Sequence, residues 1–234
     1  MNILITGTSR GIGYHTALEL ASHPECQVFA VSRQESKLNE LVHQAKRQNP
    51  HAKIVPVWFD LEKGNLEELA NTVRKTAGHL DVLINNAAAI LVKPFEEQTE
   101  AEFADIYHLN VIRTASLIRT LLPLMKKKGG HIVNISSMGG YQGSTKFAGL
   151  SAYSSSKAAL GGLTECLAEE FKEQKIAVNC LCLGAVQTEM LGEAFPGYQA
   201  PMLPNQMAQY ISHFALTGNQ YMNGKIIPVS LTTP

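Results

Sequence analysis

The chain of 234 residues sets 20 Lys plus Arg against 20 Asp plus Glu, and 45% of it is hydrophobic. A balanced charge offers no field that would draw it to nucleic acid or to an anionic membrane, so neither is expected as a partner. The length and apolar content suit one α/β domain over residues 1–234; the lack of a membrane-length apolar run and of a basic-then-apolar leader makes a cytoplasmic protein the expectation.

In chain order, Asn2 to Thr6 is a short apolar run stopped at once by Gly7, the pattern of a buried strand. Gly7, Gly11 and Gly13 then punctuate a turn into Tyr14 to Ser22, where Ala17, Leu18 and Ala21 share a helical face. Strand, glycine turn and helix together present backbone N–H groups and a positive helix end, which suits a pyrophosphate. The spacing is G-x-x-x-G-x-G, not the stricter G-x-G-x-x-G fingerprint, so the stretch alone fits either a nucleotide site or an ordinary glycine-rich turn.

Strand and helix patterns alternate from there on. Gln27 to Ser32 is a strand, Glu35 to Gln48 a polar-faced helix, and Ala52 to Phe59 a strand ending at Asp60. Asn65 to Ala77 is helical with Gly78 as its closing cap, and Asp81 to Asn85 is the next strand. Thr99 and Glu102 form a capping-box pattern opening one helix to about Lys127, with Lys126, Lys127 and Lys128 placed to suit its dipole. His131 to Ser136, a helix over Ser151 to Lys172, Ile176 to Leu183, a helix over Asn205 to Leu216 and a strand over Lys225 to Ser230 complete the series. Seven strands separated by helices imply a doubly wound, Rossmann-type parallel sheet with helices on both faces and ligands beyond the strands' C-terminal ends.

The four cysteines, Cys26, Cys166, Cys180 and Cys182, form no C-x-x-C pair and are expected to pack in the core. The scattered histidines suggest no metal. Polar residues gather instead at the strand ends: Asn85 and Asn86 before Ala87 and Ala88, then Ser136 and Ser137, then Gly184 to Thr188. Any one of them could be a turn former, whereas their joint position points to a site. Tyr153 and Lys157 lie four apart on one face of the long helix, where a cation would lower the phenol's pKa and make it a usable acid or base.

These motifs, in this order, resemble the short-chain dehydrogenase/reductases in their compact single-domain branch. Thr6 to Gly13 looks like the family's T-G-x-x-x-G-x-G, Asn85 to Ala88 like its N-N-A-G, Asn110 like its helix Asn, and Ser137 with Tyr153 and Lys157 like its catalytic Ser and Y-x-x-x-K. The resemblance implies hydride transfer between a nicotinamide and a carbonyl or alcohol carbon. It would make Tyr153 the proton donor and Ser137 the group polarising the carbonyl, with Lys157 on the nicotinamide ribose and Asn110 holding a relaying water. The cofactor would lie against Gly7, Ser9, Arg10, Gly11, Ile12, Gly13, Ser32, Arg33, Asp60, Leu61, Asn86, Ala87, Gly184, Val186 and Thr188, besides Tyr153 and Lys157. Members that prefer NADP carry a small hydroxyl residue followed by Arg at the second strand's end, and a basic residue in the glycine turn. Ser32 with Arg33, and Arg10, match that pattern, so NADP(H) is the expected cofactor. The family's helices corresponding to Thr99 to Lys127 and Ser151 to Lys172 commonly pair across a two-fold axis, which implies a homodimer or homotetramer.

This chain departs from the family at three places. Ala88 replaces the glycine of N-N-A-G, Leu183 replaces the proline before Gly184, and Ser137 precedes Tyr153 by 16 residues, which leaves Ser136 as the second candidate serine. A short segment, Glu189 to Pro204, is available to cover the substrate. Aromatic or bicyclic ketones and diketones are the expected small-molecule substrates, with ketoacyl carrier-protein substrates as the alternative. A cofactor-binding sensor and an isomerase retaining its cofactor are the other readings.

Overall fold

The computed structural model describes residues 1–125 and 129–231. Seven strands, β1 (Asn2–Thr6), β2 (Gln27–Ser32), β3 (Lys53–Trp58), β4 (Val82–Asn85), β5 (Gly130–Ser137), β6 (Ile176–Leu183) and β7 (Ile226–Val229), form one sheet in the order β3-β2-β1-β4-β5-β6-β7. Every neighbouring pair is parallel. The order reverses between β1 and β4, and such a switch opens a crevice at the strands' C-terminal ends.

Side-chain alternation gives the sheet two buried faces. Ile3, Ile5, Val28, Ala30, Ile84 and Val133 pack under α1 (Gly11–Ser22), α2 (Glu35–Gln48) and the last helix. Leu4, Phe29, Val31, Leu83, Ile132 and Val178 face the other way, against α3 (Leu66–Ala77) and the helices that follow β4 and β5. Asn65 caps α3 at its start and Gly78, at φ 74°, closes it.

The single helix expected from Thr99 to about Lys127 is divided. Thr99 and Glu102 do form a reciprocal capping box opening α4 (Glu100–Tyr107), but a π-helical segment, His108–Arg113, intervenes before α5 (Thr114–Met125). The widened turn carries Asn110, whose amide bonds both the N–H and the carbonyl of Ala89, so contact with the β4 loop accompanies the break in helical regularity. The lysines expected at that helix's end lie outside the described residues. The next helix is α6 (Ser151–Glu170), followed by α7 (Glu189–Ala194), a turn of helix that the sequence pattern did not single out, and α8 (Pro204–Thr217). Cys26, Cys180 and Cys182 are buried as expected, with Cys180 and Cys182 against Met138. Cys166 is exposed, because it falls on the outward face of α6, and so is not a core residue.

Candidate active site

The ends of β1, β4, β5 and β6 open into a cavity of about 750 Å³, a size that encloses a small-molecule ligand. At one end stands the glycine turn. Gly7, at φ 74°, adopts a backbone conformation that a side chain would strain. A Cβ on Gly13 would stand 2.2 Å from the Gly7 carbonyl oxygen, so only glycine allows the turn to fold this tightly. The Asn86 amide donates to the carbonyls of Thr6 at 2.9 Å and Gly7 at 3.1 Å, and the Thr6 hydroxyl accepts from the N–H groups of Asn86 and Ala87. Thr6 and Asn86 thus tie the turn to the end of β4, a supporting role that the motif alone did not reveal.

Helix α1 begins from this turn with Arg10 as N-cap, with no side-chain hydrogen bond to the cap and no acid in its first turn. Gly11, Ile12 and Gly13 line the cavity. An uncapped helix start on a cavity wall fits a pyrophosphate, because its first N–H groups have no intrahelical acceptor.

Beyond that turn, Ser32, Arg33, Asp60 and Leu61 form the wall nearest β2 and β3. Ser32 Oγ accepts from the Gln34 N–H, and Asp60 accepts from the N–H groups of Glu62 and Lys63. The Arg33 guanidinium is 68% exposed and stands 4.0 Å from Glu62. Arg113, unremarked in the sequence, donates to the carbonyls of Leu61 at 2.6 Å and Gly64 at 2.7 Å and so fixes this loop from the π-helical segment. The end of β2 itself carries Ser32 and Arg33 and no carboxylate, so the acid that would repel a 2′-phosphate at this strand end is missing, although Glu62 stands beside Arg33.

The other end of the cavity gathers Ser137, Tyr153 and Lys157. Ser137 accepts from the Gly139 N–H and stands close enough to the Tyr153 phenol to favour its ionised form. Ser136 points elsewhere: it is buried and donates to the Lys157 carbonyl at 2.9 Å. Strand alternation gives the adjacent hydroxyls different partners, although both residues line the cavity. Asn110 joins through Ser156, donating to its Oγ at 3.0 Å, while Ser156 donates to the Tyr153 carbonyl.

Lys157 Nζ donates to the Ile135 carbonyl at 2.8 Å and lies 5.9 Å from the centre of the Tyr153 ring. Burial pulls the ammonium down to about 8 and pushes the phenol up, the Ser137 hydroxyl acting the other way on Tyr153. The lysine was expected to lower the phenol. In this geometry its charge is turned towards a backbone carbonyl, and desolvation of the phenol dominates.

The remaining lining is largely apolar: Ile90, Met138, Phe147, Leu150, Met190 and Phe195. Phe147, from the loop after β5, meets Phe195, just past α7, with ring centres 6.2 Å apart. A parallel bridge between Val186 and Met202 and a bond from the Gln187 N–H to the Met202 carbonyl pin the base of the segment carrying α7. Thr188 caps α7, accepting from the Leu191 N–H, while Gly184 and Val186 line the wall below it.

A family model described as short chain dehydrogenase matches residues 1–199. A fatty acyl-CoA reductase of Acinetobacter baylyi is 34% identical over 80% of this chain and 63% of its own, and the ketoacyl reductase HetN of a Nostoc species is 35% identical over 80% and 64%. The chain thus spans less than two thirds of either relative's length. A short chain dehydrogenase of Shigella flexneri, solved in complex with NADP, superposes with a TM-score of 0.86 at 28% identity, over 97% of this chain and 95% of that one.

Proposed function

The chain belongs to the short-chain dehydrogenase/reductase family, and from that premise we propose that it is an NADP(H)-dependent carbonyl reductase, acting on small uncharged ketones as a homodimer or homotetramer. The observation that carries the reading is one cavity with an uncapped helix start and two arginines, Arg10 and Arg33, at one end and the Ser137, Tyr153 and Lys157 cluster at the other. The NADP-bound relative supports the choice of cofactor.

NADP(H) held here supplies a hydride to a carbonyl carbon, or takes one from an alcohol. The α1 N-terminus would hold the pyrophosphate, Arg10 and Arg33 the 2′-phosphate, and Thr188 with Gly184 and Val186 the nicotinamide end. Asp60, Leu61, Asn86 and Ala87 would shape the wall between them. A phenol is protonated at neutral pH and burial raises its pKa further, so Tyr153 has a proton to give to the carbonyl oxygen as charge develops there. Ser137, beside the same phenol, is placed to donate to that oxygen and orient it. Lys157 supplies a buried positive charge beneath them, and Asn110, through Ser156, braces the helical turn that carries Tyr153.

The apolar lining favours aromatic or bicyclic ketones and diketones. Ketoacyl or fatty acyl thioesters are a second reading, favoured by the names of two relatives. The test is a panel containing both classes, followed by the loss of reduced-nicotinamide absorbance with NADPH and with NADH. Turnover of uncharged ketones with NADPH is expected. Turnover confined to acyl thioesters would replace the substrate reading, and cofactor binding with no turnover of any carbonyl would favour a sensor.

A further inference from the structure

Arg10 is already engaged by another part of the chain. Its guanidinium meets both carboxylate oxygens of Glu193, a residue of α7 far along the sequence, with Nη2 to Oε2 at 3.0 Å. The same helix lies against the glycine turn at a second point. A Cβ on Gly11 would contact Thr188 Cγ2 at 3.3 Å and the Glu189 carboxylate at 3.6 Å. Two acids of one short helix therefore stand beside the turn and the arginine that phosphate groups would use.

We infer that Glu193 is a specificity-determining residue for the cofactor, because its carboxylate occupies the Arg10 guanidinium for which a 2′-phosphate must compete. The inference rests on the proposed NADP(H) reading and adds a residue that works against it. NADPH must displace Glu193 to reach Arg10, whereas NADH, with a hydroxyl at the 2′ position, has no need to. The competition sets how strongly the protein prefers the phosphorylated cofactor. The electrostatics agree in direction: the pair raises the Arg10 guanidinium and lowers the Glu193 carboxyl. Both side chains are substantially exposed, at 44% and 61%, so the contest is modest.

The test is a set of equilibrium titrations of NADPH and NADH, read by cofactor fluorescence, on wild type, Glu193→Gln, Arg10→Ala and the double variant. Glu193→Gln should tighten NADPH about threefold and leave NADH unchanged, and should have no effect once Arg10 is alanine. An equal shift for both cofactors, a shift that persists without Arg10, or no shift at all in a wild type that prefers NADPH would overturn the role of Glu193 alone. A wild type that binds NADH more tightly, or binds neither cofactor, would overturn the cofactor reading and this inference with it.

Discussion

Below the candidate site, His131 in β5 has its ring fixed between two partners, and this makes stability depend on acid. Nδ1 lies 3.0 Å from the Ala215 carbonyl, which can only accept, so Nδ1 carries the proton. Nε2 lies 3.0 Å from the Asn179 amide nitrogen, which donates, so Nε2 must be the bare acceptor. Asn179 is held in that orientation, since its amide also donates to the Met222 carbonyl and its oxygen accepts from the Lys225 N–H. The neutral ring is therefore built into the fold, and burial drives His131 down to about 4 from an ordinary 6.5. An unfolded chain takes up a proton between pH 6.5 and 4 that the folded chain refuses, so the stabilisation is complete above about pH 6.5 and is lost as pH falls towards 4. At about 1.4 kcal/mol per pH unit for one proton, the total is about 3 kcal/mol. Urea unfolding followed by circular dichroism at fixed protein concentration, from pH 7 to 4.5, measures it. His131→Gln keeps a donor and an acceptor but cannot titrate. It should be less stable than wild type at pH 7, and the gap should close as pH falls. Carboxylates elsewhere contribute to both proteins and cancel in the difference. Parallel loss of stability in the two proteins would refute the reasoning.

Tyr153→Phe should bind NADPH nearly as wild type does and lose turnover by roughly 10²-fold or more; Ser137→Ala should also slow turnover while Ser136→Ala leaves it largely intact, and steady-state kinetics of the three variants decides between the serines. Lys157→Met should remove a buried ammonium whose cost is present in full below pH 8 and is relieved only as pH rises from 8 towards 10.5, so thermal unfolding at pH 7 should show a gain of about 1–2 kcal/mol after the lost bond to Ile135, with activity abolished. Ser32→Asp with Arg33→Leu should shift cofactor preference towards NADH, as the ratio of kcat/KM for the two cofactors would report; an unchanged ratio would remove Arg33 from the phosphate site.

The sequence by itself determined the sheet and the crevice at its strand ends. Strands such as Ile3, Leu4 and Ile5 are apolar on both faces, which only a sheet covered on both sides can bury, and the glycines after β1 mark its crevice because turn geometry is local. Tyr153 and Lys157 were legible for the same reason, since four residues on a helix fix a shared face. The tertiary structure decided whatever depends on partners distant in the chain. It gave Ser137 and Ser136 different hydrogen-bond partners, and it turned Lys157 towards Ile135 so that burial, not a neighbouring cation, governs the Tyr153 phenol. It widened a helix at Asn110 where that side chain bonds Ala89, and it set Glu193 on Arg10 and His131 between Ala215 and Asn179. Periodicity records which face of an element is buried, but not what is waiting on the other side; a hydrogen bond or an ion pair between residues far apart leaves no spacing in the sequence, and only packing brings its two halves together.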